Sequence, residues 1–84
     1  KKEEKMKYLY FSAAWCGPCK TLGPIMDEVS SKVSVQKIDV DSDYETAQKY
    51  GVRNIPTVIL VDGVTEVKRF IGVQPTQNYI NALK

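Results

Sequence analysis

The chain has 84 residues and carries 12 Lys and Arg against 10 Asp and Glu, a formal net charge of +2. Hydrophobic residues make up 43% and charged residues 26%, a composition typical of a folded globular chain. The small net charge argues against a protein that binds nucleic acid through its phosphates. There is no His, which excludes imidazole ligands and bases, so the 2 Cys are the candidates for chemistry.

The N-terminal segment is charged and has no apolar stretch of the kind that a secretory signal or a membrane span needs. We expect residues 1–5 to be a frayed tail and residues 1–84 to form a single domain with one hydrophobic core. The expected location of the protein is the cytoplasm, and no contact with a membrane is expected.

The first half of the chain alternates strand and helix patterns. Residues 6–13, rich in Tyr, Leu and Phe, predict a strand. A helix is predicted from about Pro18, with a kink at Pro24. Its apolar positions recur at helical spacing: Leu22, Ile25, Met26 and Val29. Residues 33–40 predict a second strand, although Lys37 shares a face with two valines.

The middle of the chain predicts a short helix. Ser42 followed by Glu45 fits a capping box at its start. The helix should run through Ala47 and stop at Gly51, because glycine accepts the left-handed conformation that ends many helices. A run of β-branched residues over 57–61 then predicts a third strand.

The last part of the chain predicts a hairpin and a helix. Asp62 and Gly63 are typical turn residues between two strands, and residues 66–71 predict the returning strand. Thr76 is the expected cap of a final helix that carries Tyr79. The order is β-α-β-α-β-β-α, which predicts an α/β fold with a four-stranded mixed sheet and helices on both faces.

Both cysteines lie where the first strand passes into the first helix. The attacking species in thiol–disulfide exchange is the thiolate, which the N-terminus of a helix stabilises. Cys16 is therefore the candidate nucleophile, and Cys19, one turn later, is the candidate resolving thiol. Pro18 suits a first helical turn, Lys20 adds a nearby cation, and Gly17 leaves the backbone open to another chain.

Three other interpretations of the cysteine pair stay open at this point. A structural disulfide is one, although closing so short a loop stabilises a fold by only about 2 kcal/mol. A zinc site is the second, if a dimer supplied four thiolates. Two inert thiols are the third. A C-x-x-C pattern next to a β-α-β unit favours redox chemistry over these alternatives.

Two motifs give the sequence a resemblance to a known family. They are W-C-G-P-C-K at residues 15–20 and Y-G-V-R-N-I-P-T at residues 50–57, and Phe11, Ala13, Pro24, residues 35–41 and Gly72 accompany them in the same order. The chain resembles the thioredoxin family over residues 8–84. Thioredoxins usually open with an extra strand and helix, so the resemblance implies a minimal thioredoxin-like fold of glutaredoxin size.

The resemblance implies an activity and a set of partners. The expected activity is protein-disulfide reductase, a thiol–disulfide oxidoreductase that reduces protein disulfides through a mixed disulfide. No bound cofactor or metal is expected, and the Cys16–Cys19 disulfide should be reduced by a thioredoxin reductase or an equivalent donor that uses NADPH and flavin. Disulfide-containing proteins are the expected substrates, and the chain is expected to be a monomer.

The resemblance also implies a substrate groove beside the cysteines. The Ile55–Pro56 bond should be cis and place Pro56 against the cysteine pair. An extended substrate segment would pair with the backbone next to Pro56. The residues implied in the groove are Trp15, Gly17, Pro18, Val40, Ile55, Pro56, Gly72 and Val73.

The sequence departs from the family pattern near the cysteines. Tyr10 occupies the position of a buried acid that is thought to handle the proton of the second cysteine, and Lys37 matches the lysine that pairs with that acid. Because a buried lysine without an anion is costly, Lys37 should donate to the Tyr10 hydroxyl, reach solvent or lose its proton. Ser12 replaces a second tryptophan.

Two alternative functions stay open from the sequence. One is a glutaredoxin-like reductase, or an oxidase or isomerase of an oxidising compartment such as the periplasm. The other is a binding module that uses the thioredoxin fold as a scaffold and has only secondary redox activity.

Overall fold

A computed structural model describes residues 6–83, and it contains the seven elements in the predicted order. The expected N-terminal tail, residues 1–5, lies outside the described residues. The strands are β1 (Met6–Ser12), β2 (Ser34–Asp39), β3 (Thr57–Asp62) and β4 (Thr65–Ile71). The helices are α1 (Gly17–Val29), α2 (Tyr44–Lys49) and α3 (Thr76–Asn81).

The four strands form one mixed sheet in the order β2-β1-β3-β4. Strand β1 pairs in parallel with β2 and antiparallel with β3, and β3 pairs antiparallel with β4. The parallel pair is joined by α1, as a crossover connection requires. The predicted four-stranded mixed sheet is confirmed.

Side chains of β1 alternate between two cores. Tyr8 and Tyr10 lie on the face that α1 and α3 cover, with Leu22, Met26 and Tyr79 in the same cluster. On the opposite face, the cluster under α2 contains Leu9, Phe11, Ile38, Ala47, Ile59 and Val61. Strand β3 is buried from Thr57 to Val61, as expected for an interior strand covered on both faces.

The hairpin turn lies one residue later than predicted. Asp62 still pairs with Thr65, so the loop consists of Gly63 and Val64 instead of Asp62 and Gly63. Gly63 has a φ of +68°. A positive φ at the first loop position alone is the φ pattern of a type II′ turn, which favours Gly there and accepts Val at the second position.

The predicted cap of α2 was wrong. Asp43, and not Ser42, is the N-cap, and its side chain accepts a hydrogen bond from the Thr46 N–H. The reason is a turn before the helix, in which the N–H groups of Ser42 and Asp43 both donate to the Asp39 carbonyl. Gly51 follows the helix with a φ of +67°, which confirms the predicted stop.

The predicted cap of α3 was also wrong. Pro75 is the N-cap and contributes no side-chain hydrogen bond, while Thr76 is the first helical residue. The Thr76 hydroxyl instead donates to a carboxylate oxygen of Glu28 on α1, at 3.3 Å.

Helix α1 begins at Gly17, one residue before the predicted start, and runs through Pro24. Among residues 6–83, no helix is long and apolar enough to cross a membrane.

Candidate redox site

Cys16 is the N-cap residue of α1. Its backbone is extended, with φ −87° and ψ 112°, and its N–H donates to the Ala13 carbonyl at 3.1 Å. Its sulfur accepts a hydrogen bond from the Cys19 N–H at 3.2 Å. A sulfur in this position receives one of the free N–H groups at the start of the helix, and this arrangement favours the thiolate.

Cys16 and Cys19 form a disulfide, with their Cα atoms 5.3 Å apart. Both side chains are nearly buried, with 4% and 5% of their surface exposed. They lie in a small apolar cluster with Ala13, against which Val40 and Ile55 pack. Across residues 6–83, no group of three or more His, Cys, Asp or Glu could hold a metal ion.

The loop before β3 lies beside this cluster. The Ile55–Pro56 bond is cis, as the resemblance implies. The Pro56 carbonyl accepts a hydrogen bond from the Gly72 N–H at 2.9 Å, which ties this loop to the end of β4. This bond places Pro56 and Gly72 next to each other, and the residue before Pro56, Ile55, packs against the cluster that contains the cysteines.

The chain neighbours of the two cysteines are exposed, although the disulfide itself is nearly buried. Trp15 is 69% exposed, and its indole N–H donates to a carboxylate oxygen of Asp41 at 2.9 Å. Gly17 and Pro18 are exposed, and a Cβ built on Gly17 would meet nothing within 4 Å. Val73 is exposed as well. The surface around the disulfide is therefore open to a protein chain.

A groove of about 500 Å³ opens between Trp15 and helix α2. Three residues expected at the substrate surface line it, Trp15, Val40 and Ile55. It also contains residues outside the expected substrate surface: Asp41, Tyr44, Ala47, Gln48, Gly51, Val52 and Arg53. The remaining residues expected at that surface, Gly17, Pro18, Pro56, Gly72 and Val73, are not in its lining.

Tyr10 is buried, and its hydroxyl donates to the backbone carbonyl of Cys19 at 2.7 Å. Burial raises the pKa of Tyr10, the nearby Ser12 side chain lowers it, and the charge of Asp27 raises it. The net shift is upward, so the hydroxyl keeps its proton and remains a donor at neutral pH.

Lys37 and Lys20 are both exposed. Of the three alternatives for Lys37, solvent exposure is the one that the structure supports. No hydrogen bond joins Lys37 to Tyr10 in the part of the chain that the structure describes; the Tyr10 hydroxyl donates to the Cys19 carbonyl, and Lys37 is exposed to solvent. Lys20 follows Cys19 in the first turn of α1 and adds a positive charge to this end of the helix.

A comparison with known protein families shows to which family the chain that carries this site belongs. The family model described as Thioredoxin matches residues 1–84. The chain belongs to the thioredoxin family. A thioredoxin from Alicyclobacillus acidocaldarius subsp. acidocaldarius is 44% identical over 71 residues, which cover 80% of this chain and 68% of that relative. A thioredoxin from Staphylococcus epidermidis is 38% identical over 85 residues, which cover 96% and 82%.

Solved thioredoxin structures have the same fold. A mutant thioredoxin from Halobacterium salinarum NRC-1 superposes with a TM-score of 0.89 at 31% identity, covering 98% of this chain and 74% of that one. The reduced thioredoxin pre-protein of Schistosoma mansoni superposes with a TM-score of 0.86 at 34% identity, covering 96% and 78%. The predicted thioredoxin-like fold is confirmed.

Membership of the thioredoxin family makes this chain a thiol–disulfide oxidoreductase, and the Cys16–Cys19 disulfide is its redox-active group. The predicted family and the predicted class of enzyme are confirmed. The family also gives the classes of its partners, namely a reductase as electron donor and disulfide-bearing substrates.

Proposed function

We propose that this protein is a protein-disulfide reductase in which Cys16 attacks and Cys19 resolves. The Cys16 thiolate attacks one sulfur of a substrate disulfide, forms a mixed disulfide and releases the other sulfur as a thiolate. Cys19, as a thiolate, then attacks the Cys16 sulfur and releases the second substrate thiolate. The enzyme dithiol is oxidised to the Cys16–Cys19 disulfide, and the substrate gains two electrons and two thiol protons.

The position of Cys16 at the N-cap of α1 carries this assignment of roles. Its sulfur accepts the Cys19 N–H, and its chain neighbours Trp15 and Gly17 are exposed. Cys19 lies within the first turn, and its carbonyl is hydrogen-bonded to Tyr10 in the core. A substrate sulfur therefore approaches Cys16 more readily, and Lys20 increases the positive potential at this end of the helix.

The substrate surface in this proposal consists of Trp15, Gly17, Pro18, Val40, Ile55, Pro56, Gly72 and Val73. An extended substrate segment would add to the backbone beside Pro56. Proline has no N–H, and the Pro56 carbonyl already accepts from Gly72. Backbone pairing with the substrate therefore falls to Ile55, which also packs against the cluster that contains the cysteines.

The reductive direction requires an external donor, because each turnover leaves the cysteines oxidised. We assign this role to a thioredoxin reductase that carries electrons from NADPH through flavin. The cytoplasm, whose thiols are kept reduced, is the compartment that suits such a cycle. In this proposal the chain acts as a monomeric single domain.

Reduction of a protein disulfide, followed by NADPH consumption in the presence of a thioredoxin reductase, tests the proposal. Cys16→Ser should abolish turnover. Cys19→Ser should accumulate a mixed disulfide of one enzyme and one substrate, which mass spectrometry detects. Ser31→Ala, at the other end of α1, is the control and should match the wild type. The proposal is wrong if Cys16→Ser reduces the substrate as fast as the wild type.

Equilibration with glutathione tests the reductive direction. A protein that serves as a reductant should have a reduction potential below those of glutaredoxins, so its disulfide should persist in glutathione mixtures that are reducing enough to open a glutaredoxin disulfide. A protein that becomes mostly reduced in such mixtures would instead favour a glutaredoxin-like or oxidising role.

A further inference from the structure

Both cysteines are hydrogen-bonded through their backbones to the same short segment at the end of β1. The Cys16 N–H donates to the Ala13 carbonyl at 3.1 Å, and the Cys19 carbonyl accepts from the Tyr10 hydroxyl at 2.7 Å. The disulfide is therefore not the only connection that holds the two residues near each other. Neither of these hydrogen bonds involves a sulfur atom, so opening the disulfide does not by itself break them.

The first turn of α1 needs such an anchor. Proline at position 24 has no N–H to donate to the Lys20 carbonyl, so the helix lacks one of the bonds that join its first and second turns. The Cys19 N–H is directed to the Cys16 sulfur, which changes its bonding partner at each step of the reaction. The Tyr10 hydroxyl is a fixed donor from the sheet to this turn.

We propose that Tyr10 is a positioning residue for the second step of disulfide exchange, acting through the Cys19 carbonyl. In the mixed disulfide the Cys16 sulfur is bonded to substrate, and Cys19 must stay within reach to attack it. The Tyr10 hydrogen bond holds the Cys19 backbone against β1 at that stage. Holding two reacting groups in place is what makes an intramolecular step fast.

This inference rests on the proposed roles of Cys16 and Cys19. It concerns only the second step, because the substrate disulfide approaches Cys16 from the exposed side, where Trp15 and Gly17 lie. The Tyr10 hydroxyl is buried and bonded to the core side of the helix turn. Loss of the hydroxyl should leave the first step unchanged and slow the second.

The test uses the reduced protein and dithiobis(nitrobenzoate), an aromatic disulfide that releases a coloured thiolate at each step. With no more than one equivalent of reagent, attack by Cys16 gives a first phase whose rate depends on concentration. Attack by Cys19 on the mixed disulfide gives a second phase whose rate does not. Stopped-flow absorbance separates the two phases.

Tyr10→Phe keeps the ring and removes only the hydroxyl. We expect the second phase to slow by about tenfold, the order expected for loss of one buried hydrogen bond, and the first phase to change by less than about twofold. Mass spectrometry should detect more of the mixed disulfide in Tyr10→Phe than in the wild type at the same reaction time.

Tyr8→Phe is the matched control. Tyr8 lies on the same face of β1, and its buried hydroxyl also donates to a backbone carbonyl, that of Tyr79 on α3. Its loss should lower the thermal midpoint about as much as Tyr10→Phe does, since each variant loses one such bond. Both kinetic phases of Tyr8→Phe should match the wild type, because the bond to Cys19 is intact.

The inference is overturned if Tyr10→Phe leaves the second phase unchanged, if it slows both phases equally, or if Tyr8→Phe slows the second phase as much. Each of these results would mean that the hydroxyl has no specific effect on Cys19. Failure of the proposed function gives a different result: the wild type, or a Cys19→Ser variant, would then show no first phase with the reagent.

Discussion

The Tyr8 hydroxyl donates a 2.6 Å hydrogen bond to the Tyr79 carbonyl, which ties the interior strand β1 to α3 within the core. Neither side chain is exposed, and the two rings meet edge to face with centroids 5.8 Å apart. Burial, with a smaller contribution from Tyr79, raises the pKa of Tyr8 from 10.0 to about 12. The folded state therefore holds this phenol proton more tightly than the unfolded chain does.

This pKa shift predicts a loss of stability at high pH. The stabilisation from Tyr8 is complete below pH 10 and is lost as the pH rises through about 12. It amounts to at most about 3 kcal/mol. Tyr8→Phe should therefore show a smaller fall in unfolding free energy between these pH values than the wild type. Denaturant unfolding at a series of pH values measures this fall in unfolding free energy. An equal fall in the two proteins would contradict the prediction.

Gly72 should resist substitution because of its backbone. Its φ is +85°, a region that disfavours a Cβ, and its N–H donates to the Pro56 carbonyl. Gly72→Ala should lower the unfolding free energy by about 1 to 2 kcal/mol. It should also slow protein-disulfide reduction, because the loop that carries Ile55 and Pro56 loses part of its anchor.

Gly17→Ala is the comparison for Gly72→Ala. Gly17 begins α1 without a positive φ, and a Cβ there meets nothing within 4 Å. Its unfolding free energy should equal or exceed that of the wild type, since alanine favours helix. Chemical denaturation of both variants provides the measurement. Equal destabilisation of the two variants would mean that φ at residue 72 is not the cause.

Arg69 joins β4 to the end of α2. Its guanidinium donates to the Tyr50 carbonyl at 2.5 Å and to both carboxylate oxygens of Glu66 at 2.9 Å. Arg69→Met should lower the unfolding free energy by about 1 to 2 kcal/mol, because a charge-assisted bond to a helix-end carbonyl is lost. Lys68→Met also removes one positive charge, one residue earlier, and should lower the unfolding free energy by a smaller amount. Thermal unfolding compares the two, and an equal loss would assign the effect to charge alone.

The sequence predicts the cysteine site well and the helix caps poorly, for a physical reason. The placement of Cys16 at a helix start follows from strand and helix periodicities that extend over many residues. The choice between Ser42 and Asp43 depends on how a short turn closes onto the Asp39 carbonyl. Because Ser and Asp are both favoured at the N-cap position, the sequence alone does not show which of the two neighbours caps the helix.

The hydrogen-bond partner of the Tyr10 hydroxyl could not be predicted from the sequence, for a related reason. The notable side chains, Tyr10 and Lys37, suggested a pair, but the hydroxyl donates to a backbone carbonyl, which every residue carries. The α2 side of the groove was missed because Gln48 belongs to no motif, and because the motif that contains Arg53 does not show which of its side chains line a groove. Arg53 and the aromatic Tyr44 of the short helix were the available signals.

The Trp15–Asp41 hydrogen bond should orient the indole for substrate. Trp15 is largely exposed, so its position above the groove depends on this 2.9 Å bond more than on packing. Asp41→Ala should slow the first step of protein-disulfide reduction by about threefold, and it should change the unfolding free energy by less than about 1 kcal/mol because both groups are exposed. Stopped-flow kinetics with a disulfide protein measures the rate.

Two further variants separate the hydrogen bond from the charge. Asp41→Asn keeps an oxygen acceptor for the indole N–H and should retain most of the wild-type rate. Asp62→Ala also removes one negative charge, but at the end of β3, where Asp62 pairs with Met6 at the end of β1 far from the cysteines. This variant should leave the rate unchanged. If Asp41→Asn is as slow as Asp41→Ala, the carboxylate charge, and not the bond to Trp15, determines the rate, because a neutral acceptor would then fail to replace it.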